Sequence, residues 1–364
     1  MTKIKEIILA LENWAKPKWQ EKYDNSGIQV GDVNDELMGV LVNLDLTLPV
    51  LLEAVAANCN LIIVHHPIIF GGISTITPNS EIGQILIAAI KNNVCIYALH
   101  TNLDNLNQGV NAKIAQVIGL SNTKVLKPMA GTLATFTTYC PTKYLDQTRQ
   151  ALFNAGAGHI GEYDMASFSK SGIGTFRGLE NSKQRVGIRG QFEMVEEYKI
   201  EVIHESGTHH KLIDAVKSVG YYEEVAYNVI QLINDNPILG SGMIGELTLA
   251  MEPLEFLQMV KEKFKCGVIK YTEYNNPISK VAICGGSGYF LLNDALKSKA
   301  DAYITADIKY HQFFEPEQKL MLLDIGHYES EQYTTELICD YLMQKFSTFA
   351  ILISRLNTNP VKYY

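Results

Sequence analysis

Apolar positions along the first third of the chain follow two periods in turn. Ile4, Ile7, Ile8, Leu11 and Trp14 return at helical spacing and predict an amphipathic first helix, which Pro17 ends. A loop holding Asp24, Asn25 and Gly27 follows, then apolar stretches at 28–30 and 40–44, the second closing on Asp45. Residues 49–57 read as a helix, 61–64 as a strand, 81–90 as a helix, 94–99 as a strand and 111–118 as a short helix. Strand–helix–strand order of this kind builds a parallel sheet through right-handed crossovers. Leu61-Ile62-Ile63-Val64 is apolar at every position, the mark of a strand buried on both faces. Pro67 disfavours helix at the residue before it, so the chain leaves this strand extended and then turns.

The middle of the chain changes character. Residues 133–139, rich in Thr and aromatics, read as a strand, 145–153 as a helix and 197–204 as a charged alternating strand. A helix at 212–219 and a strand at 225–232 follow, and the glycines at 156–161 and 172–178 read as turns. Two strand–helix–strand runs suit a small ferredoxin-like α+β unit. Beyond Gly240 the α/β pattern resumes, with a helix at 254–264 and strands at 268–271, 281–284, 302–305 and 321–325. A helix from about 330 to 346 and a strand at 350–353 close the chain. The expected fold class is therefore α/β, a core in two parts (1–126 and 237–364) interrupted by an inserted ferredoxin-like domain at 127–236.

Composition narrows the function classes. At 364 residues there is room for two domains or for one with an insertion, and 47% hydrophobic with 19% charged residues is ordinary for a soluble globular protein. A net charge of -8 argues against nucleic acid and anionic membrane as partners. Cys59, Cys95, Cys140, Cys266, Cys284 and Cys339 form no Cys-x-x-Cys pair and lie mostly in apolar runs, as reduced buried thiols do. Glu6, Glu12 and Lys16 interrupt any signal-peptide core, and no stretch reaches the length of a spanning helix. The expectation is a cytoplasmic protein.

The candidate chemistry gathers at strand ends. His65 and His66 follow the buried strand directly, where ligands collect in open α/β sheets. His100 and Asp104 follow the strand at 94–99, and His327 and Glu331 follow the one at 321–325. The i, i+4 spacing of His327 and Glu331 turns both side chains the same way if the turn is tight, although such a pair alone more often marks a solvated helix start. Ser330 or Glu329 could cap the helix that follows. Together His65, His66, Asp104, His327 and Glu331 supply what two divalent ions require, with zinc, iron(II), manganese, cobalt or nickel fitting nitrogen and oxygen donors. His100 reads equally as a supporting group or as packing. Gly285-Gly286-Ser287-Gly288 could offer amides to a phosphate or simply allow close packing. Asp307, Lys309 and His311 could serve the site or cap a helix, His209-His210 reads as an exposed loop pair, and Trp14 and Trp19 as packing residues.

The segments LIIVHHPIIF, ALHTNLD, GGSG, ADAYITADIKYH and DIGHYESE, in this order, resemble the GTP cyclohydrolase 1 type 2 homologue family, also called the NIF-like dinuclear-metal proteins. Residues 24–32 resemble the family's opening motif, and the likeness covers about 1–125 and 238–364. The resemblance implies His65, His66, Asp104, His327 and Glu331 as metal ligands, Glu331 bridging, and an insert of CutA or PII type. It also implies a toroidal homohexamer with its metal sites facing an internal cavity. The activity implied is metal-dependent hydrolysis of a nucleotide or another phosphate-containing small molecule. The alternative is a non-catalytic metal-binding scaffold or regulator whose insert senses a ligand or partner.

Overall fold

The computed structural model describes residues 2–161 and 163–364, a mixed α/β protein with several sheets. It divides into two compact units, one made of the residues up to Lys127 and from Ile238 onward, the other of Pro128–Pro237.

The first unit holds two sheets. In the five-stranded one, Leu61–Val64 lies between Gly39–Asn43 and Cys95–Ala98, all parallel. Ala350–Ile353 adds in parallel beside Gly39–Asn43, and Gly27–Val30 adds antiparallel at the far edge. The six-stranded sheet has a parallel centre of Ile278–Ile283, Ala302–Thr305 and Met321–Asp324. Asp235–Met251 and Ser121–Ala130 extend it on one side and Lys270–Tyr271 on the other.

Alternation along the strands explains why they are apolar throughout. Val40, Val42, Leu61, Ile63, Cys95 and Tyr97 share one core with Val281, Ile283, Ala302, Ile304, Met321 and Leu323 of the other sheet. That core is filled by the apolar faces of the helices Ile4–Trp14, Val110–Ile118, Pro253–Phe264 and Thr334–Lys345. Leu41, Ile62, Val64, Ile96 and Ala98 point the opposite way, onto Leu48–Ala56 and Glu81–Lys91. Ala282, Tyr303 and Leu322 likewise meet Leu292 and Ala295 on the outer face of the second sheet. Trp14 stacks on Tyr341 with ring centroids 4.1 Å apart, and Trp19 is buried. All six cysteines are buried and free. Among the described residues no helix is long and apolar enough to cross a membrane.

In the second unit four antiparallel strands stand in the order Phe168–Arg177, Phe192–Glu205, Leu133–Pro141, Tyr227–Gln231. Helices Leu145–Asn154 and His209–Val219 set Leu152, Leu212 and Val216 against Phe136, Ile200 and Val202 of that sheet.

Several sequence expectations need correction. The glycines at 172–178 lie mainly in a strand rather than a turn, because Phe168–Arg177 pairs residue for residue with Phe192–Glu205 and the ladder outweighs propensity. His209 and His210 open a helix instead of lying in a loop. The helix expected at 330–346 is two helices, His327–Glu331 and Thr334–Lys345. Between them the Gln332 amide donates to Phe264 O at 2.8 Å and the Tyr333 hydroxyl to Lys263 O, which anchors the break to the end of another helix. The strand at 268–271 shortens to Lys270–Tyr271, while Ser121–Ala130 and Asp235–Met251 carry no clear period and were not expected.

Ile63 is fully buried in the core shared by the two sheets. Ile63→Ala is expected to lower unfolding free energy by about 2–5 kcal/mol in urea denaturation, and a loss below about 0.5 kcal/mol would contradict this packing.

Candidate metal centre

The candidate residues sit just past the carboxyl ends of parallel strands of both sheets in the first unit. Leu61–Val64 delivers His65 and His66, whose backbone N–H groups both donate to Leu44 O at 3.1 Å. Cys95–Ala98 leads to His100 and then to the one-turn helix Thr101–Asp104. Met321–Asp324 leads through Gly326 (φ 95°) into His327–Glu331, whose single turn puts His327 and Glu331 on one face.

All five expected residues meet. Atoms of His65, Asp104 and Glu331 lie within 4.8 Å of one another, as do those of His66, His327 and Glu331, so both groups are able to hold a metal ion. Glu331 is shared and divides its oxygens. Its Oε1 is 3.8 Å from His65 Nε2, while its Oε2 is 3.0 Å from His66 Nε2 and 3.1 Å from His327 Nε2. His65 Nε2 is 3.6 Å from Asp104 Oδ1, and the His66 and His327 Nε2 atoms are 3.3 Å apart. Two ligands of one tetrahedral ion at roughly 2.1 Å each stand about 3.4 Å apart, so these separations suit a shared cation. The stronger observation is that His65 Nε2 and Asp104 Oδ1 are buried with no hydrogen-bond partner among the described residues. Leaving such atoms unsatisfied costs about 1–3 kcal/mol each, and a cation bound by both removes that cost.

Every imidazole is held by its other nitrogen. Nδ1 of His65 donates to Leu99 O, and the carboxylates of Asp45, Asp24 and Asp307 receive Nδ1 of His66, His100 and His327, each at 2.7 Å. Each of these bonds aims the ring's Nε2 inward, so that the lone pair exposed when Nε2 gives up its proton meets a cation, the arrangement metal-ligating histidines need. The sequence marked Asp307 as one candidate for this role but assigned none to Asp24 or Asp45; their only signal was an acid in a loop or at a strand's carboxyl end. Asp307 takes up a left-handed backbone (φ 59°) to reach His327. His100 also offers a nitrogen within 4.8 Å of those of His65 and His66, so it stands closer to the donor set than its sequence position suggested. His311 lies in the turn Tyr310–Phe314 and packs against the Tyr310 ring.

Three amides of the Gly285–Gly288 loop face protein acceptors rather than a phosphate. Gly285, Gly286 and Gly288 N–H donate to Asn111 Oδ1, Ser330 Oγ and Thr305 Oγ1 at 2.9–3.0 Å. Ser330 therefore binds this loop and caps no helix. The glycines let the loop approach Glu331: a Cβ on Gly286, where φ is +61°, would lie 2.4 Å from Glu331 Oε1.

Charge is unevenly shared among these groups. Burial and the Glu331 charge push the Asp104 carboxyl well above the usual carboxylate range. Burial also opposes ionisation of Glu331, but the imidazoles around it prevail and hold it well below that range. Burial lowers His65. It works against charge on His66 and His327 as well, yet hydrogen bonds to Asp45 and Glu331 lift His66 to about 10, and those to Glu331 and Asp307 lift His327 to about 9.

A family profile described as DUF34/NIF3 (NGG1p interacting factor 3) matches residues 2–360. The chain belongs to the DUF34/NIF3 family. Among its NIF3 relatives, proteins of Halalkalibacterium halodurans and Bacillus subtilis named "GTP cyclohydrolase 1 type 2 homolog" are 35% and 34% identical, each alignment covering 98% of both chains. A crystal structure of a Bacillus cereus protein related to NIF3 superimposes with a TM-score of 0.88 at 34% identity, covering 100% of this chain and 99% of that one. A Staphylococcus aureus structure gives 0.80 at 27% identity over 100% and 99% of the two chains.

Gly286→Ala, through its strained φ and the contact with Glu331, is expected to weaken metal binding at least about tenfold while the circular dichroism spectrum is kept; wild-type affinity would contradict the close approach. Because the His66 and His327 protons compete with a cation below about 10 and 9, metal affinity should rise with pH through the neutral range. Calorimetry at pH 7 in buffers of different ionisation enthalpy should register proton release, and a binding heat independent of buffer would contradict it.

Proposed function

We propose that this protein holds two divalent cations and is a metal-dependent hydrolase acting on a nucleotide or another phosphate-containing small molecule. The observation that carries the reading is the division of Glu331, with one oxygen turned to His65 and the other to His66 and His327. His65 and Asp104 would hold one ion, His66 and His327 the other, with Glu331 bridging. Nitrogen and oxygen donors fit zinc, iron(II), manganese, cobalt or nickel. Bound there, the ions would supply Lewis acidity and make water a nucleophile near neutral pH.

The chain's own residues supply the rest. Asp45, Asp307 and Leu99 O fix the tautomers of His66, His327 and His65. His100, held by Asp24, has a ring nitrogen near His65 and His66 that can add a donor or carry a proton. A cavity of about 350 Å³ beside His66 and His327, lined in part by Lys270, Tyr328, Asn359 and Tyr363, has the size of a small-molecule pocket. The name carried by the relatives, "GTP cyclohydrolase 1 type 2 homolog", supports a nucleotide as the class to test first.

Residues 128–237 form a ferredoxin-like unit, supported by their βαββαβ order and by the antiparallel sheet in which the first strand lies between the third and the fourth. The assembly is a toroidal homohexamer, a reading that comes from the family resemblance and is checked by sedimentation of the metal-loaded protein. The buried free thiols support a reducing, cytoplasmic setting.

Metal analysis and a panel of nucleotides and phosphoesters test the activity. Wild-type protein should carry two ions per chain and show turnover that a chelator abolishes. Glu331→Gln should lose both ions and at least about a hundredfold in turnover. Full metal content in that variant would overturn the two-ion centre, and stoichiometric metal without turnover on the panel would leave a non-catalytic scaffold.

A further inference from the structure

Residues 354–363 leave the last strand and run along the His66 side of the centre. Ser354 N–H donates to Val42 O at 3.0 Å, and its hydroxyl and the Arg355 N–H bond to the Glu53 carboxylate, so the segment is tied down where it leaves the sheet. Thr358 Oγ1 then donates to Asp45 Oδ2 at 2.9 Å, while Asp45 Oδ1 receives His66 Nδ1 at 2.7 Å. Asn359 Nδ2 reaches Oε1 of the buried Glu329 at 3.1 Å, and the Tyr363 hydroxyl reaches the same oxygen at 3.4 Å. The Tyr363 ring lies against Gly267, where an added Cβ would come within 2.4 Å of it. Asn359, Pro360, Val361 and Tyr363 are walls of the cavity beside His66 and His327.

We infer that Thr358 is a positioning residue for His66, acting through Asp45, on a C-terminal segment that forms one wall of the substrate cavity. The inference rests on the two-ion reading. A carboxylate that receives a hydrogen bond on one oxygen only can turn about its last torsion, and its partner imidazole turns with it. A second donor on the other oxygen fixes the carboxylate plane, and so the direction in which His66 presents Nε2. Groups one contact removed from a metal ligand are typically worth 10–100-fold in metal affinity. Thr358 stands one contact further out, which places it at the lower end of that range.

The test compares Thr358→Val, Thr358→Ser, Asp45→Asn and the Asp45→Asn/Thr358→Val double variant in full-length protein. Affinity for zinc alone is read by competition with a chromophoric chelator, and folding by the urea midpoint of the chelated protein. Thr358→Val is expected to weaken one of the two zinc sites about tenfold at an unchanged midpoint, and Thr358→Ser to restore it. With Asp45→Asn in place, Thr358→Val should cost nothing further, since a step that acts through Asp45 disappears with its carboxylate. That comparison decides the matter even if Thr358→Val lowers the midpoint. Wild-type zinc affinity in Thr358→Val, or additive losses in the double variant, would overturn this inference alone. A wild-type protein that takes up neither zinc nor iron(II), manganese, cobalt or nickel would overturn the two-ion reading along with it.

Discussion

A single buried carboxylate sets the terms for the rest of the centre. Glu331 is 3% exposed, and removing its charge from water costs several kcal/mol unless something close by answers it. Three imidazoles do so, and each constrains the backbone that delivers it. The turn carrying Glu331 begins at His327, the loop facing it has no room for a side chain at Gly286, and Ser330 binds that loop. Asp104, the second carboxylate, is the less favoured of the pair. Among the described residues its buried Oδ1 has no hydrogen-bond partner, and burial together with the Glu331 charge keeps its carboxyl well above the usual carboxylate range.

The sheets make this constraint affordable. Strands of both sheets are buried on two faces, so their carboxyl ends are held by packing rather than by the polar groups placed on them. Around each imidazole, a carbonyl or carboxylate then fixes the ring. The outcome is a set of inward-facing nitrogens whose direction is decided before any ligand arrives, the pre-organisation that a working site needs.

The parts of this arrangement differ in how far a linear chain can reveal them. Leu61–Val64, Ala302–Thr305 and Ala350–Ile353 were legible to the residue, because unbroken apolar runs bounded by turns have few other readings. The five residues that converge were legible because each follows such a run. Asp24, Asp45 and Thr358 were not, since an acid or a hydroxyl in a loop carries no mark of the distant imidazole or carboxylate it will meet. The glycines at 172–178 misled for a different reason: local preference was read where cross-strand pairing decides. The break at Gln332 and Tyr333 likewise depends on carbonyls of Lys263 and Phe264, far away in the chain.

The centre draws its groups from opposite ends of the polypeptide, His66 and Glu331 being 265 positions apart. During translation the ribosome therefore releases the imidazoles of the first third long before the acid that joins them. Until then the nascent chain has neither the shared carboxylate nor His327 to set beside them. Only a chain synthesised past residue 331, with its two flanking segments docked, brings all five of these side chains together.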